Sequence, residues 1–130
     1  MMNAGSDGSG QIEFRRWETP VETLRFDILN VTQAVDNSVT VRVETAEGGV
    51  TTFAFSDVLG LRVQDEGGLT QLWVARSEAV QGCATFMVRN HAWARESPLT
   101  FLATDGWCFV LTTDDTCVEV VCGTAPTIST

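Results

Sequence analysis

The sequence predicts a mainly β to α+β fold: a single compact domain of antiparallel hairpins, with one or two short helices near residues 56–76. Three observations lead there. Short segments alternate apolar and polar residues with the period of two that a strand imposes. Brief turns carrying glycine or aspartate separate them, which is the pattern of hairpins rather than of strand–helix–strand units. At 130 residues, with 44% hydrophobic and 19% charged residues, the chain has the size and composition of one globular domain that can bury a core.

Residues 1–11 are rich in Gly, Ser, Asn and Asp and are expected to form a disordered tail ahead of a single β-rich domain over 12–130. In residues 20–35, "PVETLRFDILNVTQAV", two patterns compete. Thr19, Pro20 and Glu22 would open a helix as a capping box with proline at its first position, and Val21, Leu24, Ile28, Val31 and Val35 fall at helical spacing. Leu24, Phe26 and Ile28 alternate with Arg25 and Asp27, however, and branched and aromatic residues are frequent. The next segment tips the balance to strand. "SVTVRVET" sets Val39, Val41 and Val43 against Thr40, Arg42 and Glu44, with the turn-like "VDNS" before it, so a hairpin is expected.

"EGG" at 47–49 reads as a second hairpin turn leading into "VTTFAFSD". Beyond it the alternation breaks. Ser56 or Asp57 can cap a short helix that Gly60 weakens and Gly67-Gly68 ends. Leu69, Leu72 and Trp73 have the spacing of a second short helix, with a strand as the alternative.

The C-terminal hairpin is the most determined element. "WCFVLTT" and "TCVEVVC" flank Asp114-Asp115, and a two- or four-residue loop sets 112 opposite 117, 110 opposite 119 and 108 opposite 121. Trp107, Phe109, Leu111, Val118, Val120 and Cys122 then share one apolar face, because directly paired residues lie on the same side. Cys108, Val110, Thr112, Cys117, Glu119 and Val121 share the other. A three-residue loop would put Glu119 beside Phe109, so the pattern selects the register.

The candidate site lies in "RNHAWARES". Read as a strand, 86–95 points Met87, Arg89, His91, Trp93 and Arg95 one way and Phe86, Val88, Asn90, Ala92 and Ala94 the other. Arg89, His91, Trp93 and Arg95 would form a stripe suited to a carboxylate or phosphate, since guanidinium forks bind such anions bidentately beside a stacking aromatic. His91 could also act as a general base, oriented by Glu96 or Asp105. The competing expectation is that the arginines pair with acids of the chain's end: Asp105, Asp114, Asp115 and Glu119. Trp17 and Trp73, if exposed, would mark an interface, and core burial is the alternative for both.

Composition excludes several classes. The chain has eight arginines, no lysine and seventeen carboxylates, for a net charge of −9, so its field repels nucleic acid. No apolar run approaches the roughly 18–20 residues of a membrane helix. The opening "MMNAGSDGSG" lacks a basic residue followed by an apolar stretch, and the expected setting is cytoplasmic. Cys83, Cys108, Cys117 and Cys122 form no Cys-x-x-Cys, and with a single histidine no metal site or cofactor is expected; buried free thiols are. Without a nucleophile elbow, phosphate loop or dinucleotide-binding glycine pattern, the expected function is a small acidic protein-interaction domain, inhibitor- or immunity-like and without catalytic activity. Its partner would be another protein, a basic one suiting the charge, and self-association through a β-edge is a further reading. The alternative function is a small-molecule anion-binding or enzymatic site on the Arg89-His91-Trp93-Arg95 face.

Overall fold

The computed structural model describes residues 11–65 and 80–130. Among these residues nine strands form two sheets in which every pairing is antiparallel. In chain order they are β1 (Glu13–Arg16), β2 (Phe26–Gln33), β3 (Val39–Thr45), β4 (Val50–Phe55), β5 (Val58–Asp65), β6 (Thr85–Arg89), β7 (Cys108–Thr112), β8 (Thr116–Cys122) and β9 (Thr127–Ser129). One sheet has the order β1-β6-β7-β8-β5 and the other β2-β3-β4-β9. The expected β-rich single domain is therefore the fold that forms. No helix among the described residues is long and apolar enough to cross a membrane.

Both faces of the five-stranded sheet are buried. Its inner face sets Leu111, Val118 and Val120 against Val39, Val41, Val43, Phe53 and Phe55 of the four-stranded sheet, in one cluster. Its reverse face carries Phe86, Val88, Cys108, Val110, Cys117 and Val121 under Phe101, Trp93 and Ala94. The residues that supply this cover are the helix α1 (Ala92–Glu96) and a 3₁₀ segment (Pro98–Thr104). All four cysteines are buried and unbridged.

The C-terminal hairpin adopts the expected register, with Thr112 opposite Cys117, Leu111 opposite Val118, Val110 opposite Glu119 and Phe109 opposite Val120. Its four-residue turn closes with the Thr113 amide donating to the Thr116 carbonyl at 2.8 Å, while the Thr113 hydroxyl accepts from the Thr116 amide at 2.9 Å. Trp107 departs from the expectation. It lies ahead of β7, and Arg15 and Arg89 stack on its ring at 4.2 and 4.7 Å rather than the sandwich core enclosing it.

Segment 20–35 combines both competing patterns. Thr19 starts a tight turn, with the Glu22 amide donating to the Thr19 carbonyl and the Leu24 amide to that of Val21. The strand then begins at Phe26. The helix expected from 56 onward does not form over 58–65, where β5 pairs with β8 from Val58 to Asp65. Asp57 takes a left-handed conformation with φ 52°; its carbonyl accepts from the Gly123 amide and its carboxylate from the Thr124 hydroxyl. The would-be cap is thus a corner between strands, and sheet pairing overrides the local helix signal. Among the described residues, short helices lie at 92–96 and 98–104; the rest of the expected helical range, with Leu69, Leu72 and Trp73, and residues 1–10 of the expected tail 1–11 fall outside the described residues.

Trp17 is not an exposed anchor. Its ring packs on Phe109, Phe53 and Phe55, with centroids 4.7, 5.4 and 6.2 Å away, because residues 17–25 carry the chain from one sheet to the other across the core's end. That crossing is tied by Arg16, whose Nε and Nη2 donate to the two oxygens of buried Glu22 at 2.9 Å each. The backbone carbonyl of Glu22 accepts from the Ala84 amide.

This packing makes two measurable demands. Phe53 is wholly buried, so Phe53→Ala should cost about 3–5 kcal/mol in urea unfolding. The Arg16 fork holds the Glu22 carboxyl below the usual carboxylate range, chiefly by its hydrogen bonds. The folded state then binds this proton less readily than the unfolded chain does. The resulting stability is full above the unfolded pKa of about 4.3 and is lost as pH falls through the lower folded value. Glu22→Gln should flatten that acid limb of a pH series of unfolding midpoints.

Candidate functional site

Alternation in the Arg89-to-Ser97 stretch holds only as far as Arg89, where β6 ends. Asn90 has φ 61°, in the left-handed region that asparagine tolerates better than most residues. This residue inverts the facing of the chain beyond it. Arg89 stays on the inner side with Met87, whereas His91 enters the reverse face and is buried. The amides of Arg95 and Ser97 then donate to the carbonyls of His91 and Trp93, closing the single turns of α1. Arg89, His91, Trp93 and Arg95 therefore do not form a stripe, because 92–96 is helical.

Arg89 is already matched within the chain. Its Nη2 donates to Glu13 Oε1 at 3.0 Å and its Nη1 to Asp105 Oδ2 at 3.2 Å, with Trp107 stacked on the guanidinium. The hydrogen bond to Glu13 is the foremost cause of its raised pKa. An external anion would have to displace two carboxylates to use this fork.

His91 belongs to a different constellation. Glu119 sits fully buried in mid-sheet, opposite Val110 on β7 and Arg62 on β5. Its Oε2 lies 3.5 Å from His91 Nε2 and its Oε1 lies 3.3 Å from Arg62 Nε. Neither approach is a hydrogen bond: both carboxylate oxygens and both imidazole nitrogens are buried without a hydrogen-bond partner. Two of the Arg62 nitrogens, Nε and Nη2, turn to Gln64. With the Gln64 amide oxygen turned toward it, Arg62 reaches that oxygen at 2.7 Å from Nη2 and 3.1 Å from Nε. Its guanidinium carbon also lies 4.8 Å over the Trp93 ring.

Cys108, at the start of β7, completes the group. One donor atom each from His91, Cys108 and Glu119 lies within 4.8 Å of the others, and all three residues are buried. Burial, then the negative charge of Glu119, pushes the Cys108 thiol well above its ordinary pKa, so it is no activated nucleophile. The roof is aromatic: Phe101 and Trp93 stand edge-on to the imidazole at 5.7 and 6.4 Å. Sequence reasoning offered Glu96 or Asp105 as partners for His91. The one signal for Glu119 was its place as the only ionisable side chain other than cysteine on the reverse face of the C-terminal hairpin.

An open cleft of about 740 Å³ lies elsewhere, between the 23–27 stretch and the 112–114 turn. Its charged lining is Arg25, Asp27, Glu44 and Asp114, and Arg25 pairs with Asp114 at 3.3 Å. None of Arg89, His91, Trp93 or Arg95 lines it.

Gly60 makes room for the roof. A Cβ there would stand 2.9 Å from Trp93 Cζ2 and 3.0 Å from Thr100 Cγ2, closer than packed atoms allow. Gly60→Ala should push Trp93 outward, red-shift the tryptophan emission and cost about 1–3 kcal/mol, as overpacking does. An unchanged spectrum and unfolding midpoint would contradict this packing.

No family model, curated protein or solved structure matches this chain.

Proposed function

We propose that this protein is a small acidic interaction domain, inhibitor- or immunity-like and without catalytic activity, that binds another protein bearing a basic surface. The observation that carries this reading is the pair Leu99 and Leu102, 81% and 72% exposed on the 3₁₀ segment while Phe101 between them is buried. Exposed Glu96 and Asp105 bracket the segment. Apolar centres with charged rims are how protein interfaces are built, and the net charge of −9 complements and steers a basic partner. Leu59 and Val63 of β5 are also roughly half exposed, on a strand whose outer side pairs with no described strand. A cytoplasmic setting belongs to the same reading, supported by four unbridged cysteines.

The alternative, an anion-binding or enzymatic site around Arg89, His91, Trp93 and Arg95, has less support. Its histidine lies beneath Trp93 and Phe101, and the fork of Arg89 is taken by Glu13 and Asp105.

Partners co-purified from the native host should be titrated, one by one, against the purified chain. The expected partner is basic, its affinity falls with added salt, and Leu99→Ser with Leu102→Ser weakens it at least ~10-fold without moving the unfolding midpoint. Salt-independent binding, or binding indifferent to both leucines, would overturn the reading. Phosphate and sulfate should leave the melting temperature unchanged. A rise that Arg89→Ala abolishes would favour the anion site instead.

A further inference from the structure

We propose that His91, Cys108 and Glu119 form a buried binding site for one divalent metal ion of the zinc class, which ties the helical cover to the five-stranded sheet. The three residues come from the turn after β6, from β7 and from β8, yet their donor atoms converge within 4.8 Å. Ligands around a tetrahedral zinc, bound at about 2.0–2.3 Å, stand ~3.3–3.8 Å apart. Rotamer adjustments of about an ångström would therefore close the set.

The unpaired atoms are the independent observation. His91 and Glu119 are 5% and 0% exposed, and none of their four side-chain nitrogen and oxygen atoms has a hydrogen-bond partner. Native proteins rarely leave such groups unsatisfied. Arg62 offers Glu119 charge at 3.3 Å but no hydrogen bond, because its Nε and Nη2 turn to Gln64. A cation among these atoms would satisfy the carboxylate and one imidazole nitrogen together.

The donor set selects the ion. Thiolate and imidazole suit zinc and its neighbours, whereas calcium and magnesium require oxygen ligands throughout. Both oxygens of Glu119 are without hydrogen bonds, so the carboxylate can bind through both and close a four-donor shell that its short bite distorts from the regular tetrahedron. Binding would release the Cys108 proton to solvent. The divalent ion, thiolate and carboxylate then sum to zero, and Arg62, whose side chain is 26% exposed, keeps its charge at the solvent edge. His91, Cys108 and Glu119 are all buried, with Trp93 and Phe101 over the imidazole, which suits a structural rather than a catalytic site.

The test uses the full chain without an affinity tag, stripped by chelator and titrated separately with Zn²⁺ and Co²⁺. One equivalent of either should bind and raise the melting temperature, and Co²⁺ should give a sulfur-to-cobalt charge-transfer band in the near ultraviolet. Cys108→Ser should abolish that band and weaken Co²⁺ binding by more than the ~10–100-fold that losing a mere outer-shell partner costs. Cys122→Ser, which alters the inner face, should keep the band. Should Cys108→Ser not fold, the wild type decides alone, because the chain has a single histidine and its imidazole resonances report only on His91. They should shift in step with one equivalent of Zn²⁺. Unmoved resonances, absence of stoichiometric binding, or a band that survives Cys108→Ser would overturn the site and leave His91 and Glu119 as a metal-free buried pair.

Discussion

A carboxylate at the centre of a sheet buried on both faces is the constraint around which this molecule is organised. Glu119 has no access to solvent, and an isolated charge in such a place costs several kcal/mol. Arg62 on the neighbouring strand, at 3.3 Å, and His91 from the turn after β6, at 3.5 Å, are brought against it. Removing either neighbour leaves the carboxylate less compensated, while replacing Glu119 by an apolar residue of similar size would relieve a cost.

The same layering explains why surface chemistry and interior chemistry separate. The four-stranded sheet covers one face of the central sheet, and α1 with the 3₁₀ segment covers the other. Among the described residues this cover includes two short helical stretches in which only Phe101 is buried. The 3₁₀ segment offers leucines outward because a segment this short cannot bury more than one side of itself. Phe101 faces the sheet, and Leu99 and Leu102 are left in solvent. Exposed leucines and a closed polar cluster thus lie on opposite sides of one segment.

Backbone conformation at single residues decides the facing. Asn90, at φ 61°, turns one continuous alternation into two sets that face opposite ways. Asp57, at φ 52°, converts a helix-capping pattern into a corner between β4 and β5. In both cases a short polar residue that tolerates the left-handed region stands where the chain changes direction.

Residues alone determined whatever alternation and turn chemistry encode within one hairpin. The register of β7 and β8, the division of their faces and the β3–β4 hairpin through Gly48 are local in this sense. A one-residue slip would have exposed an entire apolar face, so the pattern admits one solution. Tertiary structure decided the rest. Residues 58–65 are a strand because β8 offers an edge to pair with, and residues 92–96 form a helix whose Trp93 packs over Gly60. Trp17 is interior because the crossing between sheets runs past three phenylalanines. The meeting of His91, Cys108 and Glu119 depends on where separate elements stack, and periodicity along the chain carries no term for distance between elements.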